Sequence, residues 1–369
     1  MSTNDVHDVY RKSIFIADEL RAKIVDGVYA PGERLPSRDD LVAHYAVGKA
    51  TVQRAFRQLQ DDGFAVAKVG SGTIVSTTSP HLTRYALLFP QDLHATGHNQ
   101  LWFAMAQEAR ALVDAGNLDL HFGFNGHQGM DRYQGLMEDV KHRRLAGLIF
   151  ASPPFSLKGT PLLDEPGIAR AALMVPSADF GYPTVSMQSD QFIATIAEQA
   201  LRSDCRRIAL LASDQQSPES VQTYRQALER LGVPVTPHWV HGISNIRPAW
   251  GAALTQLLMA GPADTRPDCL IVLDDNLLPP IGDMLQTMGL LPPRDLQLIA
   301  HCNFPWPTAC AVPAVRVGYC ITECLQALMR QINEQREGSV ESTAIQLPAY
   351  HDADYPRPLK YPPPQSGPR

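Results

Sequence analysis

The sequence predicts a small α+β domain at the N-terminus, followed by a much larger α/β region. Short helical patterns and a glycine-rich hairpin fill the first 76 residues, whereas buried strands alternate with amphipathic helices over residues 84–356. The chain has 369 residues, more than the ~100–200 residues of one ordinary domain. We therefore expect two or three folding units.

The net charge and the cysteine content limit the kinds of function that the sequence can have. The formal net charge is −6, and the first 76 residues hold ten basic and ten acidic side chains, so any contact with nucleic acid must come from a local patch. The six cysteines form no C-x-x-C pair, and no signal peptide or 18-residue apolar run is visible. We expect reduced thiols in a cytoplasmic protein.

Three helices are predicted in the N-terminal domain. The first covers Ser13–Asp26, where apolar residues recur at helical spacing and a glycine follows. Ser37 is placed to cap the second helix, with Asp40 as the reciprocal acid of a capping box. A turn at 46–48 leads into the third helix, Lys49–Asp61.

The third helix has two contrasting faces. Its apolar face consists of Val52, Ala55, Phe56 and Leu59. Its opposite face, at 100° per residue, carries Ala50, Gln53, Arg54 and Arg57. Small, amide and guanidinium side chains can contact base edges and phosphates in a major groove. The alternative for such a face is simple solvation.

A hairpin follows the third helix directly. Phe64 and Val66 alternate toward a tip at Gly70-Ser71-Gly72, with Lys68 close by, and a β-rich strand returns over Thr73–Val75. Glycines at a tip allow the backbone to approach a phosphate or the minor groove. A helix-turn-helix followed by such a hairpin predicts a winged helix-turn-helix that reads DNA.

Residues 13–76 resemble the winged helix-turn-helix domain of GntR-type bacterial transcription regulators. The matching landmarks are I-x-D-G-V-Y-A-P-G-E-R-L-P-S at Ile24–Ser37, V-G-K-A-T-V at Val47–Val52 and G-S-G-T-I-V at Gly70–Val75. The pattern and this resemblance together predict a DNA-binding surface. Its members are Ser37, Arg38, Lys49, Ala50, Thr51, Gln53, Arg54, Lys68, Gly70, Ser71 and Gly72.

Three positions depart from what this resemblance implies. Asp39 stands at the position of a customary arginine, Gln53 stands where an arginine is common, and Ser71 replaces a frequent basic residue. Because fewer cations release fewer counterions from DNA, we expect a shallower salt dependence and an unusual operator sequence.

The remaining chain divides into a linker, a long region and a tail. A polar segment with a proline at 77–83 predicts an interdomain linker, and the proline-rich residues 357–369 predict a disordered tail. Between them, strands are predicted at 85–89, 118–124, 147–151, 172–175, 184–187, 207–212, 269–273 and 296–301. Helices are predicted near 99–115, 130–143, 162–169, 190–202, 218–231, 277–288 and 315–336. This alternation predicts parallel sheets with helices on both faces, and two sheets fit the length better than one.

Several stretches of this region resemble the LacI-type effector domain, which is itself similar to type I periplasmic-binding proteins. They are V-S-M-Q-S-D-Q at Val185–Gln191, C-R-R-I-A-L-L at Cys205–Leu211, T-Y-R-Q-A-L at Thr223–Leu228 and L-I-V-L-D-D-N at Leu270–Asn276. The resemblance implies two α/β lobes that close on a small ligand, in a domain (84–356) that also dimerises.

Ligands of open α/β sheets bind beyond the carboxyl ends of the strands. The predicted effector-binding residues there are Asp92, Phe124, Ser152, Asp190, Asp214, Asp275, Asn303 and Trp306. Carboxylates, amides and aromatic rings suit a polar, uncharged, sugar-like ligand, although a helix N-cap is the alternative role for each Asp and Ser. Many sugar-responsive relatives carry an arginine about where this chain has Pro218, so the ligand need not be a simple hexose.

The sequence thus predicts a DNA-binding transcription regulator, a repressor, that acts as a homodimer on double-stranded operator DNA under the control of a small effector. No catalytic motif, metal-binding histidine spacing or cofactor loop is present in the sequence. The alternative is a DNA-binding domain fused to an aminotransferase-like enzyme. That enzyme would need a Schiff-base lysine, and neither Lys141 nor Lys158 is convincingly placed.

Overall fold

The computed structural model describes residues 3–91, 99–125, 133–187, 190–213, 218–244, 247–338 and 344–360. The chain divides into two compact units. Unit 1 comprises Met1–Gln91, Ala111–Ala172 and Met329–Glu341. Unit 2 comprises Asp92–Arg110, Leu173–Leu328 and Ser342–Arg369. The DNA-binding domain therefore shares unit 1 with part of the α/β region.

The DNA-binding domain has the element order of a winged helix. Its elements are α1 (Thr3–Val25), α2 (Arg38–Tyr45), α3 (Lys49–Asp61), β1 (Ala65–Lys68) and β2 (Gly72–Val75). Leu20 of α1 and Phe56 and Leu59 of α3 are buried in one apolar core. Helix α1 begins earlier than the predicted Ser13, because its first turns are polar and lack the apolar repeat that marks a helix in a sequence.

The local signals of this domain are confirmed. Ser37 Oγ accepts a hydrogen bond from the Asp40 amide at 3.2 Å, and Asp40 Oδ2 accepts one from the Ser37 amide at 3.0 Å, which completes the capping box. Strands β1 and β2 pair antiparallel with Lys68 opposite Gly72. Gly70 and Gly72 have φ angles of 79° and 81°, the left-handed region that glycine adopts without strain.

The predicted linker contains a short helix, α4 (Pro80–Thr83), that packs on the DNA-binding domain. His81 is only 7% exposed and stacks on Phe64, with ring centroids 5.4 Å apart and an interplanar angle of 9°. Pro80 closes over Gly63, whose hypothetical Cβ would lie 3.3 Å from the proline Cγ. This end of the linker is therefore anchored by packing.

The α/β part of unit 1 is built around parallel strands. The next elements of the chain are β3 (Tyr85–Phe89), α5 (Gln100–Asp114), β4 (Leu118–Phe122), α6 (Tyr133–Lys141), β5 (Gly147–Phe150), α7 (Pro161–Asp164) and β6 (Ala169–Leu173). The four strands follow the order β6-β5-β3-β4, and the β5-β6, β3-β5 and β3-β4 pairs are parallel. Strands β3 and β5 are completely buried, which explains their uninterrupted apolar sequences.

Unit 2 contains a second sheet, which has six strands. Its elements continue with β7 (Thr184–Ser186), α8 (Asp190–Arg202), β8 (Ile208–Ser213), α9 (Pro218–Arg230), β9 (Val235–Ile243), α10 (Pro248–Met259), β10 (Cys269–Val272), α11 (Leu278–Thr287), β11 (Gln297–Phe304), β12 (Val315–Cys320), α12 (Ile321–Arg336), β13 (Ala344–Gln346) and β14 (Ala349–His351). The sheet order is β14-β12-β11-β10-β8-β9, and only the β12-β14 pair is antiparallel. Strands β7 and β13 also pair in parallel. The predicted fold class of α/β units with parallel sheets is confirmed.

Six details of the predicted element list were wrong. The helix expected near 315–336 is strand β12 followed by α12, and the helix expected near 162–169 ends at Asp164. Strand β9 and helix α10 were missed, because β9 is a half-exposed edge strand and α10 is apolar on most sides, so neither carries a clear period. The short strands β13 and β14 were also missed.

We predict that Gly318→Ala lowers the free energy of unfolding by about 1–3 kcal/mol. A Cβ at Gly318 would lie 1.8 Å from the carbonyl oxygen of Cys302 on the neighbouring strand, so β11 and β12 would have to move apart. The measurement is a urea denaturation curve. Gly242→Ala on strand β9 is the matched control, because nothing lies within 4 Å of its Cβ position. Equal midpoints for the two variants would contradict the prediction.

A second prediction concerns pH. Burial, and then the charge of Arg336, lower the pKa of His81 to about 4 from a usual value of 6.5. The unfolded chain therefore binds a proton before the folded chain does, so this contribution to stability is complete above pH 6.5 and declines toward pH 4 by up to ~1.4 kcal/mol per pH unit. His81→Phe should flatten the dependence of the thermal midpoint on pH in this window. If the thermal midpoint of the variant depends on pH as steeply as that of the wild type, His81 is not the cause of this dependence.

Candidate DNA-binding surface and effector site

The third helix presents the predicted recognition face to solvent. Ala50, Arg54 and Arg57 are exposed and Gln53 is partly exposed, while the apolar face of α3 is buried. Thr51 departs from the prediction, because only 4% of its surface is exposed. Its side chain is packed within the domain, so the contact of Thr51 with DNA stays a prediction.

The N-termini of α2 and α3 are linked by an ion pair that sequence reasoning missed. Lys49 Nζ lies 2.9 Å from Asp39 Oδ1, and both side chains are about three-quarters exposed, at 76% and 77%. Hydrogen bonds from the hydroxyl and amide of the neighbouring Ser37 hold the pKa of Asp40 below its usual value. Two carboxylates thus accompany the exposed Arg38 and Lys49 at this edge of the domain.

The wing adds further exposed residues to the same domain. Lys68 and Gly70 are exposed, Ser71 is partly exposed and donates its amide to the carbonyl of Lys68 at 3.0 Å, and Gly72 is exposed. Arg34 was missed as a candidate, although its exposed side chain lies against the wing: a Cβ on Gly72 would be 3.4 Å from Arg34 Nε. Arg34 belongs to the P-G-E-R-L-P-S part of the motif at Ile24–Ser37, so the sequence already pointed to this position.

Two of the predicted effector residues meet within unit 2. Asp275 Oδ2 accepts hydrogen bonds from Asn303 Nδ2 at 2.9 Å and from Thr308 Oγ1 at 2.7 Å. Asp275 is only 1% exposed. Asn303 Oδ1 is buried and has no hydrogen-bond partner within the described parts of the chain, so it can accept one from a ligand or water. Burial and the adjacent charge of Asp275 raise the pKa of Asp274.

Trp306 lies in a second polar cluster of unit 2. Its indole Nε1 donates to Glu108 at 2.7 Å, and Glu108 also accepts from Thr322 and Lys360, each at 2.6 Å. Burial alone raises the pKa of Glu108, but these three hydrogen bonds prevail and lower it. The Lys360 ammonium lies 5.4 Å from the Trp306 ring centroid, so a cation already occupies one face of the predicted stacking surface.

The other predicted effector residues have different environments. Phe124 belongs to unit 1 and is completely buried against Phe150, so it is a core residue rather than an open stacking surface. Ser152, also in unit 1, is partly exposed, and Asp190 is exposed in the first turn of α8. Asp92 and Asp214 lie outside the described residues.

Two further searches concern metals and membranes. No group of three His, Cys, Asp or Glu side chains that could hold a metal ion occurs among the residues that the structure describes. Within the same residues, every helix is too short or too polar to cross a bilayer.

Sequence profiles identify both parts of the chain. Residues 12–75 match the gntR family of bacterial regulatory proteins, and residues 197–347 match the periplasmic binding protein-like domain. The arabinose metabolism transcriptional repressor of Geobacillus stearothermophilus is 23% identical over 350 residues, which cover 88% of this chain and 92% of that protein. The histidine utilization repressor of Klebsiella aerogenes is 38% identical over 61 residues, 16% of this chain and 25% of that protein.

Solved structures support the fold of the α/β region. A LacI-family transcriptional regulator from Enterococcus faecium, solved with bound ribose, has a TM-score of 0.54 at 15% identity and covers 73% of this chain and 97% of its own. A LacI-type regulator from Bacillus cereus subsp. cytotoxis has a TM-score of 0.56 at 14% identity, covering 73% and 96%. These relatives are regulators and not enzymes, so the aminotransferase alternative is dropped. The chain is a transcription regulator that joins a GntR-type winged helix-turn-helix to a periplasmic-binding-protein-like domain, and its α/β region has the fold of LacI-family regulators.

Proposed function

We propose that this protein is a repressor whose affinity for a specific operator is controlled by a sugar or a related polar metabolite. The observation that carries the proposal is the exposed face of α3, where Ala50 and Arg54 stand beside a glycine-tipped wing in the same chain as a periplasmic-binding-protein-like domain. The relative that aligns over most of this chain is named as a repressor of arabinose metabolism, which supports both halves of the proposal.

The DNA-binding surface in this proposal has a mixed charge. Arg38, Lys49, Arg54 and Lys68 supply cations. Gln53 is partly exposed and supplies amide hydrogens, while its Oε1 is buried. Because Asp39 already pairs with Lys49, fewer free cations meet the phosphates. Base contacts then contribute a larger share of the affinity, as expected for an operator read with few phosphate contacts.

The effector site in this proposal lies at the carboxyl ends of the strands of unit 2. Asp190 and Asp275 offer carboxylates, Asn303 offers a buried amide oxygen without a partner among the described residues, and Trp306 offers an aromatic ring. Hydroxyl-rich, uncharged ligands match these groups, because carboxylates and amides bind hydroxyls and aromatic rings stack on C–H faces.

The protein would act as a homodimer on a palindromic operator. Winged helices and helix-turn-helix proteins place two readers on half-sites about 34 Å apart, one turn of DNA, or a multiple of that spacing. Effector binding then alters operator affinity by favouring one of two arrangements of the dimer, as any ligand with different affinities for two states must.

We predict that Arg54→Ala weakens binding to the operator by ~1–3 kcal/mol, that is about 5- to 150-fold, without changing ligand affinity. The probe is a duplex enriched from a random pool by the wild-type full chain, and the measurement is fluorescence anisotropy at one fixed salt concentration. Arg330→Ala on α12 is the matched control, because Arg330 is also an exposed helical arginine. Equal affinities of the two variants would exclude Arg54 from the surface.

We also predict that one sugar among arabinose, ribose, glucose and sucrose raises the thermal midpoint of unfolding. A ligand at 100 times its dissociation constant adds ~2.7 kcal/mol to the stability of the folded state. Glycerol at the same osmolality is the control, because polyols stabilise proteins without a site. The sugar that raises the midpoint should also change operator affinity. A stabilising sugar that leaves operator affinity unchanged would contradict its role as an effector.

A further inference from the structure

The turn after α6 carries a run of basic side chains that contact the DNA-binding domain within unit 1. His142, Arg143 and Arg144 follow the last residue of α6, and Arg143 adopts a left-handed φ of 52°, which redirects the chain at this point. These three side chains meet Asp18, Asp26 and Asp62 of the DNA-binding domain. We call this set of six residues the joint.

Arg21 of α1 lies at the centre of the joint. It is only 2% exposed, and its guanidinium donates to Asp18 at 2.5 Å and to Asp62 at 2.6 Å. Its Nη1 also lies 3.2 Å from His142 Nδ1, and its Cζ lies 5.5 Å from the centroid of the Phe64 ring. A charge buried so completely is costly in free energy unless these partners surround it. The joint therefore has one preferred geometry.

Besides the contact of Arg21 with His142, three contacts with carboxylates join the basic turn to the DNA-binding domain. Arg144 Nε lies 3.3 Å from Asp62 Oδ1, and its Nη1 lies 3.2 Å from Asp139 of α6, so the side chain is held at both ends. Arg143 Nη1 lies 2.9 Å from Asp26 Oδ1. His142 Nδ1 lies 3.2 Å from Asp18 Oδ1, and its Nε2 lies 3.1 Å from Glu138. Each of these three contacts joins a basic side chain of the turn to a carboxylate of the DNA-binding domain.

The joint holds the recognition helix at the end that does not face DNA. Asp62 is the C-cap residue of α3, whereas Lys49, Ala50 and Arg54 lie in its first two turns and remain exposed. A duplex can therefore bind to the exposed face while the joint stays closed. Because an α-helix is stiff, a constraint at its C-terminus also fixes the direction of its N-terminus.

We propose that His142, Arg143 and Arg144 are positioning residues that set the orientation of α3 on the α/β sheet of unit 1 and thereby select the spacing of operator half-sites. This inference rests on the proposed function, because it assumes a dimer that reads two half-sites. A DNA-binding domain on a flexible linker would bind half-sites at several spacings. A DNA-binding domain held in one orientation by ion pairs binds half-sites at one spacing.

The test uses the full chain with the double substitution His142→Gln and Arg144→Gln, on the α/β side of the joint. Arg21 is left intact, because its buried guanidinium pairs with both Asp18 and Asp62, and its removal would destabilise the DNA-binding domain itself. The control is Arg294→Gln, which also removes one positive charge from an exposed side chain, in unit 2. If the double variant has a lower thermal midpoint, Arg143→Gln, at the more exposed contact, replaces it.

Three duplexes are compared, all based on the sequence enriched by the wild-type chain: the paired half-sites, the same pair with five inserted base pairs (about half a turn), and a single half-site. We expect the wild-type chain and the control to prefer the original spacing at least tenfold. The double variant should lose at least fivefold of this preference and keep its single-half-site affinity within twofold.

Each result decides the inference. An unchanged spacing preference in the variant overturns it, and so does an equal loss of affinity for all three duplexes, which would indicate a purely structural role. A wild-type chain that enriches a sequence but has no spacing preference also overturns it, while leaving the proposed function intact. A wild-type chain that enriches no sequence overturns both.

Discussion

The buried guanidinium of Arg21 is the interaction on which the arrangement of unit 1 depends. It joins α1 to the end of α3 through Asp62, and it reaches the basic turn after α6 through His142. Apolar contacts alone would let a small domain rotate with little change in energy, because they have no direction. A buried guanidinium opposes such a rotation, because each hydrogen bond that breaks leaves a buried charge without its partner. The DNA-binding domain is thus fixed by electrostatics and supported by its apolar core.

The sequence predicted those features that arise from neighbouring residues. The capping box of Ser37 and Asp40, the turn before α3 and the glycines of the wing each depend on a few consecutive residues, and each is present in the structure. The burial of strands β3 and β5 was equally predictable, because a strand covered on both faces is apolar throughout. The fold class follows from the alternation of such strands with helices.

Contacts between distant residues could not be predicted in this way. Arg21 and His142 are 121 positions apart, and Trp306 and Glu108 are 198 positions apart, so no local pattern connects them. The ion pair of Asp39 and Lys49 depends on the turn geometry that brings two helix starts together. Thr51 was assigned to the DNA surface from the resemblance to GntR-type regulators, and its burial to 4% exposure depends on packing that no local pattern shows. Strand β12 was missed because its Val-x-Val-Gly pattern merges with the apolar start of α12.

The charges at the strand ends of unit 2 constrain the chemistry of any ligand there. Asp274 and Asp275 are adjacent and Asp275 is buried, and the pKa of Asp274 is raised by desolvation and then by the charge of Asp275. The nearby cation Lys360 is neutralised by Glu108, so it adds no free positive charge. An anionic ligand such as a carboxylate or a phosphate ester would add a further negative charge beside these two carboxylates, where His301 Nδ1 lies 3.6 Å from Asp275 Oδ1. A neutral ligand with several hydroxyls can instead donate to Asp275 and to the buried oxygen of Asn303, which argues for a sugar or polyol over a sugar phosphate.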